Sequence, residues 1–276
     1  MKQFDMRRFG LVLKLDFAEG FKPLLWNALL MVFVYLFLFW MAHNVEMRGD
    51  DVSYVKVVCE VISNVACVAM YVYFLASVCR IFRDVQQKQK LTTYLMLPAT
   101  NLEKFLSRWI YMLVFSIVGG IFAFFVADVL HVVWLCLKGY PVFWSSSFFM
   151  SKFSINYNPD SGYLWSWSQM LVYSIFLFVH AFFLLGGVFF RRYHFVATSA
   201  VGLLLWVGSF SLLSAIESYY FAMFYDGSSI DDLAFYTKVF AFVEVVFVIG
   251  GIALLTWLSY WLFCRYQVIT RKLVNL

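Results

Sequence analysis

A chain of 276 residues that is 63% hydrophobic, 22% aromatic and only 13% charged cannot cover a water-soluble globule with polar surface, since soluble domains carry about 25% charged residues. Lipid is the solvent that fits this composition, and the length accommodates about six membrane spans with their loops. The net charge of +5 is not gathered into a basic patch, so no nucleic-acid partner is expected.

The chain opens on a segment, residues 1–22, in which Met6, Phe9, Leu13 and Phe17 follow helical spacing. It reads as an N-terminal interfacial helix that turns at Pro23 into the first span. Its apolar side could rest on a membrane surface or pack on other protein, and the spacing does not choose between them.

Beyond it lie six uncharged stretches, 23–45, 61–79, 109–127, 161–190, 193–216 and 245–264, each of at least 19 residues. That is about the length a helix needs to cross the hydrocarbon core. In lipid the backbone must satisfy itself, so these stretches should be helices. With their apolar flanks they predict an all-α polytopic domain over 23–276, with spans near 23–45, 57–80, 105–130, 164–190, 193–217 and 240–264. The first stretch is too long for a cleavable signal core and lacks a small-residue cleavage pattern.

Sixteen of the 21 Lys and Arg residues fall in the N-terminus, the loop after span two, the loop after span four and the C-terminus. The positive-inside rule therefore puts both termini in the cytoplasm, as an even number of spans also requires. Four acidic residues lie about one bilayer from a basic one. Glu60 is 20 residues from Arg80, Asp128 is 20 from Arg108, Glu217 is 25 from Arg192 and Glu244 is 21 from Arg265. At 1.5 Å per residue, 20 residues span about 30 Å. These carboxylates read as anchors at the outer interface, or as an outer ring for cationic cargo.

The loop near 81–104 is the most informative. Its first part, through Lys90, is polar and helix-favouring and predicts that span two continues into the cytoplasm. A short apolar segment, Leu91 to Leu97, ends at Pro98. Thr100-Asn101-Leu102-Glu103 then fits a capping box that starts span three. Leu91, Tyr94, Leu95 and Leu97 would seek a partner surface, or pack on the chain's own helices. The loop near 138–163 carries Tyr140, Phe143, Trp144, Phe148, Phe149, Phe153 and Tyr157, which suits an aromatic belt or a segment dipping into the interface. Residues 217–238 form the last outer loop, with Asp226, Asp231 and Asp232 around Gly227.

No phosphate-cradling loop, HExxH, GxSxG or GxGxxG occurs, so no enzymatic activity and no cofactor are expected. Cys59, Cys67, Cys79, Cys136 and Cys264 form no CxxC pair, which argues against a disulfide framework or zinc site. Asp128 and His131, at i and i+3, could touch as an interfacial pair. His180 is the one ionisable residue predicted deep in the membrane. It is a candidate for cargo or proton contact, with a hydrogen bond to a neighbouring helix as the plainer reading. Gly119-Gly120, Gly186-Gly187 and Gly250-Gly251 suit close helix contact or bending.

The run Leu97-Pro98-Ala99-Thr100, followed by Glu103 and Lys104, resembles the LPA[ST]xxEK stretch of bacterial ABC exporter permeases of the second class, in particular those of Bacteroidetes. The layout of an interfacial helix, six spans and a cytoplasmic loop between spans two and three is similar over nearly the whole chain. The resemblance implies a permease subunit in a bacterial inner membrane, pairing with a second permease subunit, identical or not. It also implies a separate ATP-binding subunit that docks on the loop between spans two and three. The residues it marks for coupling are Arg83, Asp84, Lys88, Leu91, Tyr94, Leu95, Leu97, Pro98 and Glu103, with the N-terminal helix contributing to the same contact. The outer loop between spans three and four is longer than in minimal members, which leaves the cargo open. A non-transporting membrane protein on the same scaffold, such as a sensor, immunity protein or assembly factor, is the alternative.

Overall fold

Every described apolar stretch is helical, as a backbone without water to bond must be. The computed structural model describes residues 4–46, 52–82, 94, 96–151, 163–190, 193–208 and 230–265. Among them are seven helices and no strand: α1 (Met6–Glu46), α2 (Val52–Cys79), α3 (Asn101–Lys138), α4 (Ser145–Ser151), α5 (Tyr163–Phe189), α6 (His194–Gly208) and α7 (Ile230–Cys264). Four segments are long and apolar enough to cross a membrane: Met6–Ala42, Val55–Cys79, Asn101–Lys138 and Val246–Cys264. The stretches Tyr173–Phe189 and His194–Gly208 are apolar but shorter.

Two expected boundaries differ. No break separates the N-terminal segment from the first apolar stretch: α1 runs from Met6 through Pro23 to Glu46 as one helix. Proline removes one backbone hydrogen bond, but packing along the rest of α1 holds the helix together. Nor does α2 continue past Cys79, since 80–82 form a turn; the polar, helix-favouring residues that suggested an extension begin beyond it. Their continuation, 83–93, lies outside the described residues.

The chain divides into two compact units. The first takes residues up to Val78 and Pro98–Asn156. Its axis is α1 lying along α3. Val12 and Asp16, and further along Met31, Tyr35 and Phe39, are buried on α1 at four-residue steps, the spacing of one helix face. Partners rise together along the two helices. Asp16 meets Ser107, Tyr35 meets Phe124 with ring centroids 5.2 Å apart, and Phe39 stacks on His131 at 4.0 Å. The two helices are therefore parallel. Along α2 the order reverses: Met70 and Tyr73 lie against Gly120, and Cys59 lies beside Asp128, so α2 is antiparallel to α3. Met31, Tyr35, Phe39, Val58, Ile62, Ala66, Ala123, Phe124, Ala127 and Phe149 close the core between them. On the other side of α1, Trp26, Leu30, Phe33 and Trp40 are exposed, the face lipid would cover.

The second unit takes Cys79–Leu97 and residues from Tyr157 onward. α5 and α6 form an antiparallel pair, with Phe183 against Phe195 at 5.7 Å, Gly186 against Thr198 and Gly202 against Phe182. Gly251 of α7 meets Phe178 of α5. Gly187 lies on the backbone of Cys79, where an added Cβ would come within 2.8 Å of the carbonyl oxygen. The Cys79 thiol donates to the Phe183 carbonyl at 3.4 Å. Small residues thus let backbones approach, the main route to helix association without a hydrophobic drive.

Candidate functional site

Two helix N-termini meet at one carboxylate. Thr100 caps α3: its hydroxyl accepts the Glu103 N–H, and the Glu103 side chain returns to the Thr100 N–H, completing the capping box that the sequence predicts. Glu103 Oε2 accepts the Thr100 N–H at 2.8 Å. Its other oxygen, Oε1, accepts the Asp5 N–H at 2.8 Å and faces Arg8 Nη2 at 3.3 Å. Asp5 in turn caps α1 by accepting the Arg7 N–H at 2.9 Å. Glu103 is fully buried, and every partner donates to it, the environment an ionised carboxylate needs in the absence of water. The positive ends of two helix dipoles favour the same charge.

A second ion pair sits further along. Asp16 accepts from the Ser107 hydroxyl at 2.6 Å and pairs with Arg108 at 3.2 Å, and Asp16 is buried. Above it, Phe17 packs edge-on against Phe115 at 4.9 Å and against Tyr111 at 6.5 Å. A Cβ on Gly20 would run into the Tyr111 ring. The N-terminal segment is thereby fixed to the first turns of α3. Of the two readings open for it, this contact is protein on protein within the chain, while Met6, Leu11, Phe17 and Phe21 remain exposed.

The residues marked for coupling separate into three groups. Arg83, Asp84, Lys88, Leu91 and Leu95 lie outside the described residues. Tyr94 is buried rather than exposed, and so is Glu103. Glu103 joins the segment after Pro98 to α1. Leu97 is half-buried, Pro98 is exposed and the Leu97 N–H bonds the Tyr94 carbonyl at 3.3 Å. The exposed apolar side chain here is Met96, at 81%.

Of the four acidic anchors, Glu60 is exposed. Asp128 is fully buried and accepts the N–H groups of Ser145 at 3.1 Å and Ser146 at 2.9 Å. It stands 4.0 Å from His131 Nδ1, the i, i+3 contact. The Glu244 side chain and all of Glu217 lie outside the described residues. His180 is buried in α5. No cluster of three or more His, Cys, Asp or Glu that could hold a metal occurs among the described residues. No protein-family model, curated protein or solved structure matches the chain.

Proposed function

We propose that this chain is a six-span permease subunit of an ATP-driven exporter in a bacterial inner membrane, with both termini in the cytoplasm. The observation that carries the reading is the Glu103 junction, in which the N-terminal helix and the start of α3 are tied through one buried carboxylate. A force applied at the loop before Pro98 would pass to two helices at once. The parallel pair α1 and α3, the antiparallel α2 and the antiparallel pair α5 and α6 support alternate crossing. The sixteen basic residues on one set of loops support the orientation.

On this reading a separate ATPase chain docks near Met96, Leu97 and Pro98, and a second permease subunit completes the pathway. Gentle purification should bring down a chain carrying a phosphate-binding loop. Leu97→Asp should abolish that co-purification and leave the melting of the helices unchanged. Retention of the ATPase in the Leu97→Asp protein would refute the docking role, and its absence from every native preparation would refute the permease reading. In that last case, the non-transporting alternative takes its place.

A further inference from the structure

At the end of the α1–α2–α3 bundle away from Glu103, the chain folds back over the helices. Gly139 ends α3 with φ 73°, the left-handed cap that glycine adopts without strain, and Pro141 follows. The seven-residue α4 then lies with one face down. Ser145, Ser146 and Phe149 are buried, while Trp144, Ser147 and Met150 are exposed.

Two contacts hold α4 there. The Asp128 carboxylate takes the N–H groups of Ser145 and Ser146, one on each oxygen. The Phe149 ring, fully buried, lies 4.6 Å from Phe124. Beneath α4, the Cys59 thiol is fully buried beside Ser145 and Asp128. The Tyr35 and Ser63 hydroxyls are also buried in this bundle, with no hydrogen-bond partner among the described residues.

We propose that α4 is a lid on the end of this bundle, latched by Asp128 and Phe149, and that releasing the latch opens the Cys59 layer to water. A buried carboxylate without donors is prohibitive, so Asp128 requires either the two α4 N–H groups or solvent. Closed, it has the first; with α4 lifted, water supplies the second. The N–H groups of Ser145 and Ser146 make the same exchange. For these hydrogen bonds the difference between the two states is small, as it is for hydrogen bonds traded with water, so the burial of Phe149 against Phe124 is what favours the closed state. His131 stays with α3, stacked on Phe39, whichever way the lid stands. The inference is independent of the permease reading, because it concerns only contacts within the first unit.

The native Cys59 is the reporter. The purified full chain in nanodiscs, open to reagent on both faces, carries Cys67, Cys79, Cys136 and Cys264 replaced by Ala. The rate of Cys59 reaction with a bulky water-soluble maleimide is then measured. Ser146→Pro deletes one latching N–H, and Asp128→Asn weakens the acceptor. Each should speed the reaction about tenfold, the effect of losing roughly one hydrogen bond to a charged group. A cysteine deeper in the core, Ala66→Cys with Cys59 also replaced by Ala, should stay unreactive in both variants. Unchanged Cys59 rates in Ser146→Pro would overturn the proposal. So would equal opening at Ala66→Cys, which would make α4 part of the core rather than a lid upon it.

Discussion

Removing the Glu103 side chain should be the most damaging single change at the N-terminal junction. Glu103→Ala strands the Asp5 and Thr100 N–H groups, each 2.8 Å from a carboxylate oxygen, and leaves Arg8 without its buried partner. Breaking a buried charged network from one side costs about 3–5 kcal/mol, and loss of a helix cap alone costs about 1 kcal/mol. Glu103→Gln keeps an acceptor oxygen but offers an N–H₂ to groups that also donate, so roughly half that loss is expected. Arg8 is 29% exposed and water screens its charge, so Arg8→Ala should cost about 1 kcal/mol or less. Glu60, exposed, serves as the surface control at about 0.5 kcal/mol. Equilibrium unfolding of the purified protein in mixed detergent, read alongside hydrogen exchange at Asp5–Val12, measures the series. The expected order of loss is Glu103→Ala, Glu103→Gln, Arg8→Ala, Glu60→Ala, with faster exchange of the N-terminal amides in the first two. A Glu103→Ala loss no larger than that of Glu60→Ala would refute the junction.

The glycine pairs give a contrast within one chemistry. Gly187→Ala sets a methyl group against the Cys79 backbone, which cannot retreat as a side chain can, and should cost about 1–3 kcal/mol. Gly250→Ala meets nothing within 4 Å and should be neutral or stabilise α7 by up to about 1 kcal/mol; thermal melting of the two variants compares them. Asp16→Leu alone strands Arg108 and should destabilise by about 3 kcal/mol or more, whereas Asp16→Leu with Arg108→Met should recover most of the loss, as unfolding of the double-mutant cycle would record. Tyr35→Phe removes a buried hydroxyl that has no partner among the described residues and should leave the melting temperature unchanged or raise it.

Helices and capping were legible because they depend on near neighbours. The threonine and glutamate of the α3 capping box stand three residues apart, and the apolar stretches are uninterrupted. What escaped depends on distant partners. Glu103 was visible as the end of a capping box, but its second role needs Asp5, 98 residues away. Asp128 illustrates the ambiguity of a carboxylate in apolar sequence: it can reach an interface or find donors, and spacing alone favours the first. The donors come from α4, which is also held by one ring, Phe149, among many aromatic residues in that loop. Pro23 misled because proline starts helices more readily than it interrupts them, and only the buried positions on both sides of it, from Val12 to Phe39, reveal that α1 continues. The glycine pairs were visible as pairs, yet which member touches a neighbour depends on helix rotation.

A topology map tests the central claim, six crossings with both termini on the cytoplasmic side, most directly. A reporter active only in the cytoplasm would be fused in turn after residues 22, 50, 90, 155, 192, 228 and 276. The account predicts activity after 22, 90, 192 and 276 and none after 50, 155 and 228. Activity on the same side at 155 and 192 would contradict it, because the chain would then lack the crossing assigned to α5.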